Sequence, residues 1–240
     1  NLQLVLNSAF SGDTIILAPG IYSGTFTIPS SLTNLTIKGA QAGIAGDIAT
    51  RSNTNLSAET TISGALQILG NGTVIDGVRV LDGDAVGGES AGIYVSATGV
   101  TVKNSVLYRS GVVDGDGFRG IVTALTSSDG LEVTANYIEG WATGVYVQDA
   151  GNVSVTNNTL KNNYVGMSAD AYSNADVLTV SGNTIEASVL EGLGIGEAGG
   201  AWATTSSINN NTFIGPAIFN YSPSLALSVL GWTNGATIQG

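Results

Sequence analysis

Apolar and polar residues alternate along this chain in short runs that return in a fixed order. Period-two alternation marks residues 13–17, 25–28, 35–37 and 66–68, each run bounded by Gly, Pro, Ser or Asn. Such runs predict short half-buried strands rather than helices. Further along, the phrase Val-x-(Asn/Gly/Ala)-(Asn/Ser)-x-large apolar occurs at 102–107, 133–138, 155–160 and 180–185, and with Ile in first place at 208–213. Each copy predicts two strands meeting at a polar corner.

A second mark keeps step with the first. A glycine precedes an apolar residue at Gly92-Ile93, Gly120-Ile121, Gly144-Val145, Gly166-Met167 and Gly192-Leu193, at successive separations of 28, 24, 22 and 26 residues. Periods in this range belong to solenoids, in which each turn buries its apolar face against its neighbours. Stacking like strand on like strand, in parallel, gives an all-β, single-stranded right-handed parallel β-helix of about eight coils, each coil adding about 4.8 Å. Ile93, Ile121, Val145, Met167 and Leu193 would form one inward column. The corner asparagines would form a ladder of side-chain hydrogen bonds between coils, satisfying a bend that otherwise leaves backbone groups unpaired.

The repeat runs without a linker, so residues 1–240 read as one domain. Residues 1–10 fit the end of an amphipathic capping helix, which suggests a module of a longer chain with flanking domains. Residues 40–59 scatter their apolar positions and read as a surface excursion, and residues 216–240 lose the Asn corner and read as degenerate final coils.

Composition narrows the function. Charged residues are 10% of the chain, against about 25% in ordinary domains, so the polar surface must be built from Asn, Ser and Thr. The net charge is −11 with seven Lys and Arg, which disfavours nucleic acid and anionic membranes. No run of 18 apolar residues marks a membrane-inserted span. The chain has no Cys and no His, so disulfides, thiolate metal sites and the commonest general base are excluded.

The segment Gly12-Asp13-Thr14-Ile15-Ile16-Leu17-Ala18-Pro19-Gly20-Ile21-Tyr22 resembles the first-coil signature of the pectin-lyase-like superfamily of right-handed β-helix proteins, and Ile37-Lys38-Gly39-Ala40 continues it. The Asn corners are similar to its later coils, particularly those in β-helix regions of large secreted bacterial surface proteins. The resemblance implies a secreted or cell-surface location and a polysaccharide or cell-surface glycan as partner. Pectate lyases, polygalacturonases, alginate epimerases, phage tailspikes and adhesins share the fold. Enzymes of the superfamily work in a groove along one sheet.

The natural groove sheet begins at the recurring glycines, where Tyr94, Val122, Tyr146, Gln148, Ser168 and Asp170 are expected to face outward. Hydrolysis requires two carboxylates at a set separation, and the family's catalytic Asp motifs are not recognisable here. Elimination requires a base, for which Arg109 and Arg119 are the candidates; an ion-paired loop position is the plainer reading of both. Two loops, Asp82-Gly83-Asp84 and Asp114-Gly115-Asp116, precede adjacent strands of that sheet and would converge on a Ca²⁺ ion, which favours several oxygen ligands. As turn formers the same residues need no metal. Tyr94, Trp141 and Tyr146, with Gln148 and Asp170, form the candidate carbohydrate-binding set, aromatic faces for sugar rings beside groups that bond hydroxyls.

Two classes of function follow. One is a non-catalytic extracellular module that acts as a structural rod, adhesin or carbohydrate-binding surface and requires no cofactor. The alternative is a calcium-dependent polysaccharide lyase acting on an acidic glycan. Ice binding fits poorly at this level, because the threonines gather beside the corners at Thr159, Thr184 and Thr212 and no flat Thr-x-Thr face repeats.

Overall fold

The computed structural model describes residues 1–46, 51, 56–111, 117–124, 128–171, 176–197, 202–215, 225–229 and 237–239. Three parallel sheets wind around one core. Sheet A runs from Thr14–Ile16 to Thr237–Gln239, sheet B from Gly20–Ser23 to Thr212–Ile214, and sheet C from Phe26–Ile28 to Leu225–Val229. Successive coils add one strand to each sheet.

Period-two alternation decides which side chains turn inward. In sheet C, Phe26, Leu66, Ile93, Ile121, Val145, Met167 and Leu193 lie in one continuous register, all buried. Ile37, Ile75, Val102, Val133, Val155, Val180 and Ile208 do the same in sheet A, and Ile62, Val80, Leu107, Ile138, Leu160 and Ile185 in sheet B. Burying each such side chain contributes roughly 1.5–3 kcal/mol. The columns therefore dominate the stability of the rod.

The bends between sheets depend on special backbone positions. Between sheets A and B the chain passes through the left-handed region at Asn104, Ala135, Asn157 and Asn210, with φ of 51° to 55°, a conformation that asparagine tolerates better than most residues. The next residue points inward, and Asn136, Asn158, Asn183 and Asn211 bond to one another in succession along the corner. At the bend into sheet C the glycines are compelled by crowding: a Cβ on Gly120 would lie 2.5 Å from the Gly144 oxygen and 2.8 Å from Ile138 Cγ2.

The N-terminal helix Leu2–Ser8 seats Leu2 and Leu6 on the end of the core. Its Gln3 amide acts as a substitute strand: Thr27 N donates to Gln3 Oε1 at 2.8 Å, and Gln3 Nε2 donates to Thr27 O at 3.0 Å. One open edge of the solenoid is thereby closed. No helix among the described residues is long and apolar enough to cross a membrane.

Residues 39–46 leave the coil but pack back onto the A–B corner. Gly43 N donates to Asp76 Oδ1 at 2.9 Å and Gly46 N to Ala135 O at 2.8 Å. Beneath this strap Arg51 and Glu59 form a buried bidentate ion pair, with contacts of 2.8 and 2.6 Å. Residues 47–50 and 52–55 of the expected excursion lie outside the described residues.

Candidate functional site

The outer face of sheet C carries a hairpin that the repeat does not require. Asp84–Val86 pairs antiparallel with the start of Glu89–Val95, through a Gly87-Gly88 turn in which both residues have positive φ. Val86 packs with Ala65, Ala91 and Val122 into a small apolar cluster outside the main core, and Tyr94 and Tyr146 lean on it. Gly87 lies flat against the Tyr94 ring, where any Cβ would collide with the ring carbons. Burial there raises the Tyr94 pKa, and the charge of Glu89 raises it further.

From the hairpin a line of polar contacts crosses successive coils. The Arg119 guanidinium pairs with Glu89, donates to Gly117 O at 2.9 Å and sits 5.0 Å from the centre of the Tyr146 ring. Tyr146 in turn donates its hydroxyl to Asp170 Oδ2 at 3.2 Å. Beyond Tyr146 in the same register stand Ser168 and then Gly194, while Asp170 is followed by Gly196. With no side chains of their own, the two glycines leave room that the carboxylates of Glu191 and Asp170 occupy. Beside the hairpin, residues 85–90 with Gly117 and Arg119 line an open hollow of about 540 Å³.

A family model described as a right-handed β-helix region matches residues 20–240. The chain belongs to the right-handed β-helix family. No curated protein and no solved structure matches it. The family accounts for the coils and columns of this β-helix; the residues on its outer face must be judged by their own geometry.

Several expected site residues sit differently in the β-helix. Trp141 is fully buried, its indole nitrogen donating to Leu107 O at 3.1 Å and its ring packed over Gly83 and Gly92, so it has no face to offer a sugar. Gln148 is 8% exposed, and its backbone is clasped by the Thr123 hydroxyl of the preceding coil, which removes it from the glycan-facing set. Tyr146 and Asp170 are brought together, while Tyr94 is half covered by the hairpin. Arg109 stacks on Phe118, with its guanidinium 4.4 Å from the ring centre. Neither Arg109 nor Arg119 projects as a free base.

The aspartates of the first loop diverge. Asp82 Oδ1 accepts from Ser110 N and Oγ, both at 2.8 Å, in the following coil; Asp84 Oδ2 accepts from Thr25 Oγ1 at 2.7 Å, in the first. The Thr25 hydroxyl, helped by Ala85 N–H, holds the Asp84 carboxyl below the usual carboxylate range. Asp82 and Asp84 therefore do not converge on one Ca²⁺, and no group of three or more potential ligands occurs among the described residues. Asp114 and Asp116 lie outside those residues.

The hairpin itself escaped the sequence reading. Its signal was present, since Gly-Gly between short alternating runs is a two-residue hairpin turn.

Proposed function

We propose that this β-helix is a non-catalytic module of a secreted or cell-surface protein, a rigid rod that presents a carbohydrate-recognition strip on sheet C. The observation that carries this reading is the Tyr146–Asp170 hydrogen bond on the outer face of sheet C. A ring held by its own hydroxyl offers an edge and part of a face for sugar C–H groups, and Asp170 keeps an oxygen for a sugar hydroxyl. Stacking whole coils fixes both side chains before ligand arrives, which lowers the ordering cost of binding. The engagement of Arg119 by Glu89 and Tyr146 weighs against its service as a lyase base.

The test is a panel of neutral and acidic polysaccharides, assayed for binding and for release of unsaturated or reducing ends. Binding that falls at least tenfold in Tyr146→Ala and Asp170→Asn, with no ends released, is the expected result. Release abolished by Arg119→Ala would establish the lyase instead.

A further inference from the structure

The corners of the rod use asparagine in two ways. Asn136, Asn158, Asn163 and Asn183 are at most 2% exposed, and each donates from Nδ2 to an oxygen of the preceding coil, on Val102, Val133, Ile138 and Val155 respectively. Asn34, Asn71, Asn152, Asn157 and Asn210 are exposed instead, and none of their amide nitrogens donates a hydrogen bond among the described residues.

The sequence divides the two groups in the same way. Each of the five exposed asparagines has Thr or Ser two residues on and no Pro between, in Asn34-Leu35-Thr36, Asn71-Gly72-Thr73, Asn152-Val153-Ser154, Asn157-Asn158-Thr159 and Asn210-Asn211-Thr212. The four buried ones have Ile138, Leu160, Val165 and Ile185 at that place. Strand alternation explains most of the difference. A corner asparagine that turns inward is followed, two residues on, by an inward position of sheet B, which must be apolar; one placed a residue earlier is followed by an outward position, which Thr159 and Thr212 fill. The corner itself does not demand the tripeptide, because Asn104 holds the place of Asn157 and is followed by Ser105 and Val106.

The exposed side chains also present their nitrogens. Asn71 Oδ1 accepts from Thr98 N at 3.0 Å, and the Oδ1 atoms of Asn34 and Asn157 lie over Gly72 and Gly182, where a Cβ would collide with them. With the oxygen turned to a neighbouring coil, the nitrogen on the other side of each amide faces water. Asn34, Asn71 and Asn152 stand where the chain enters strands of sheet A, Asn157 and Asn210 where it leaves them, and none lies within a strand of sheet C. Asn55-Leu56-Ser57 and Asn220-Tyr221-Ser222 repeat the tripeptide, with asparagines outside the described residues.

Asn-x-Ser/Thr is the acceptor tripeptide of N-linked glycosylation. A pattern this short recurs by chance, and exposure with an unengaged nitrogen at all five positions is what gives it weight. We propose that Asn34, Asn71, Asn152, Asn157 and Asn210 are N-glycosylation sites that take a sugar from a phosphate-activated donor. In the transfer Nδ2 bonds to the anomeric carbon, the bond from that carbon to the phosphate oxygen breaks with its electron pair leaving on the phosphate, and the amide gives up one proton. No hydrogen bond of the folded chain is lost. The inference rests on the secreted or cell-surface placement proposed above, because this modification marks the surface of exported chains.

The experiment produces the whole chain in its own host, separates cell interior, surface and medium, and maps peptides by mass spectrometry before and after an amidase that removes N-linked glycans and leaves aspartate. Sugar is expected at the five exposed asparagines and at none of Asn136, Asn158, Asn163 and Asn183. Thr159→Val keeps Asn157 but removes the hydroxyl the tripeptide requires, so it should lose the sugar of Asn157 alone, with an unchanged melt. Occupancy at none or a minority of the five in exported protein overturns the proposal and leaves the placement standing. Sugar on the buried asparagines, or retained at Asn157 in Thr159→Val, overturns it too. Protein confined to the cell interior overturns the placement, and the peptide masses then decide the modification on their own.

Discussion

The side-chain oxygen of Asn183 accepts two hydrogen bonds from Asn158 one coil below, from its backbone N–H at 2.9 Å and from its Nδ2 at 3.0 Å. Asn158 plays the same part for Asn136, and its Nδ2 also donates to Val133 O. One side chain thus serves three coils at a point where the backbone bends away from its sheet.

Asn158→Ala should therefore cost about 3 kcal/mol or more, because it strands buried partners on Asn136 and Val133, and each unsatisfied buried group costs roughly 1–3 kcal/mol. Asn157→Ala, at the exposed corner with φ of 55°, should cost only about 1 kcal/mol, the strain of a left-handed alanine. Urea unfolding of both variants checks the ratio. Equal losses would mean that the inner asparagine does no more than fit the bend.

The strap depends on a buried charge pair. Glu59 accepts from Arg51 Nε and Nη2, and the same guanidinium also donates to Asn104 O, tying the strap to the corner it covers. Burial lowers the Arg79 pKa nearby, and the charge of Glu59 opposes that shift. Breaking a buried pair typically costs about 3–5 kcal/mol, whereas replacing both members with apolar residues often costs little. Glu59→Gln should be the more damaging single change, since it removes the counter-charge of two arginines, and Arg51→Met with Glu59→Leu should recover much of the loss. Thermal melts of the three variants provide the measurement; a loss below about 1 kcal/mol for Glu59→Gln would show that the strap is held by other contacts.

Trp141 offers a third prediction and a lesson in what sequence carries. Its ring meets Gly83 and Gly92, and a Cβ on Gly92 would come within 3.0 Å of it. Trp141→Ala should destabilise the fold by about 3–5 kcal/mol, and Gly92→Ala should destabilise it too, with both measured by chemical unfolding. A Trp141→Ala protein that keeps full stability but loses glycan binding would return this residue to the recognition strip.

The aliphatic columns were legible because strand alternation and the glycine marks are local patterns repeated in every coil. Trp141 was not, because its place beneath the hairpin depends on how residues 83–92 cross a neighbouring coil, and no pattern near position 141 records that crossing. Asp82 and Asp84 show the same limit. Two identical side chains around one glycine look like a shared site, but positive φ at Asp82 and Gly83 rotates the chain between them, and each carboxylate caps a different coil. Register across coils decides the outer face, whereas periodicity within coils decides the inner one.

The pH dependence of stability should carry the imprint of Tyr137. This residue is 2% exposed and donates its hydroxyl to Glu139 Oε2 at 2.8 Å, while Asn162 Nδ2 donates to the other carboxylate oxygen. Burial pushes its pKa far up, and the bond to Glu139 and the charges of Glu139 and Glu186 push the same way. Because the folded pKa is raised, the stabilisation is fully present below the unfolded tyrosine value of about 10. Above it the unfolded chain releases this proton while the folded one retains it, so stability falls by up to about 1.4 kcal/mol per pH unit. The loss continues until the folded pKa is reached, beyond the accessible range. Tyr137→Phe should be less stable at pH 8, by about 1.5–3 kcal/mol for the lost bond to a carboxylate, yet its stability should decline less steeply between pH 10 and 11. Urea midpoints across that interval distinguish the slopes; parallel curves would mean that Tyr137 ionises in the folded protein as readily as in the unfolded one.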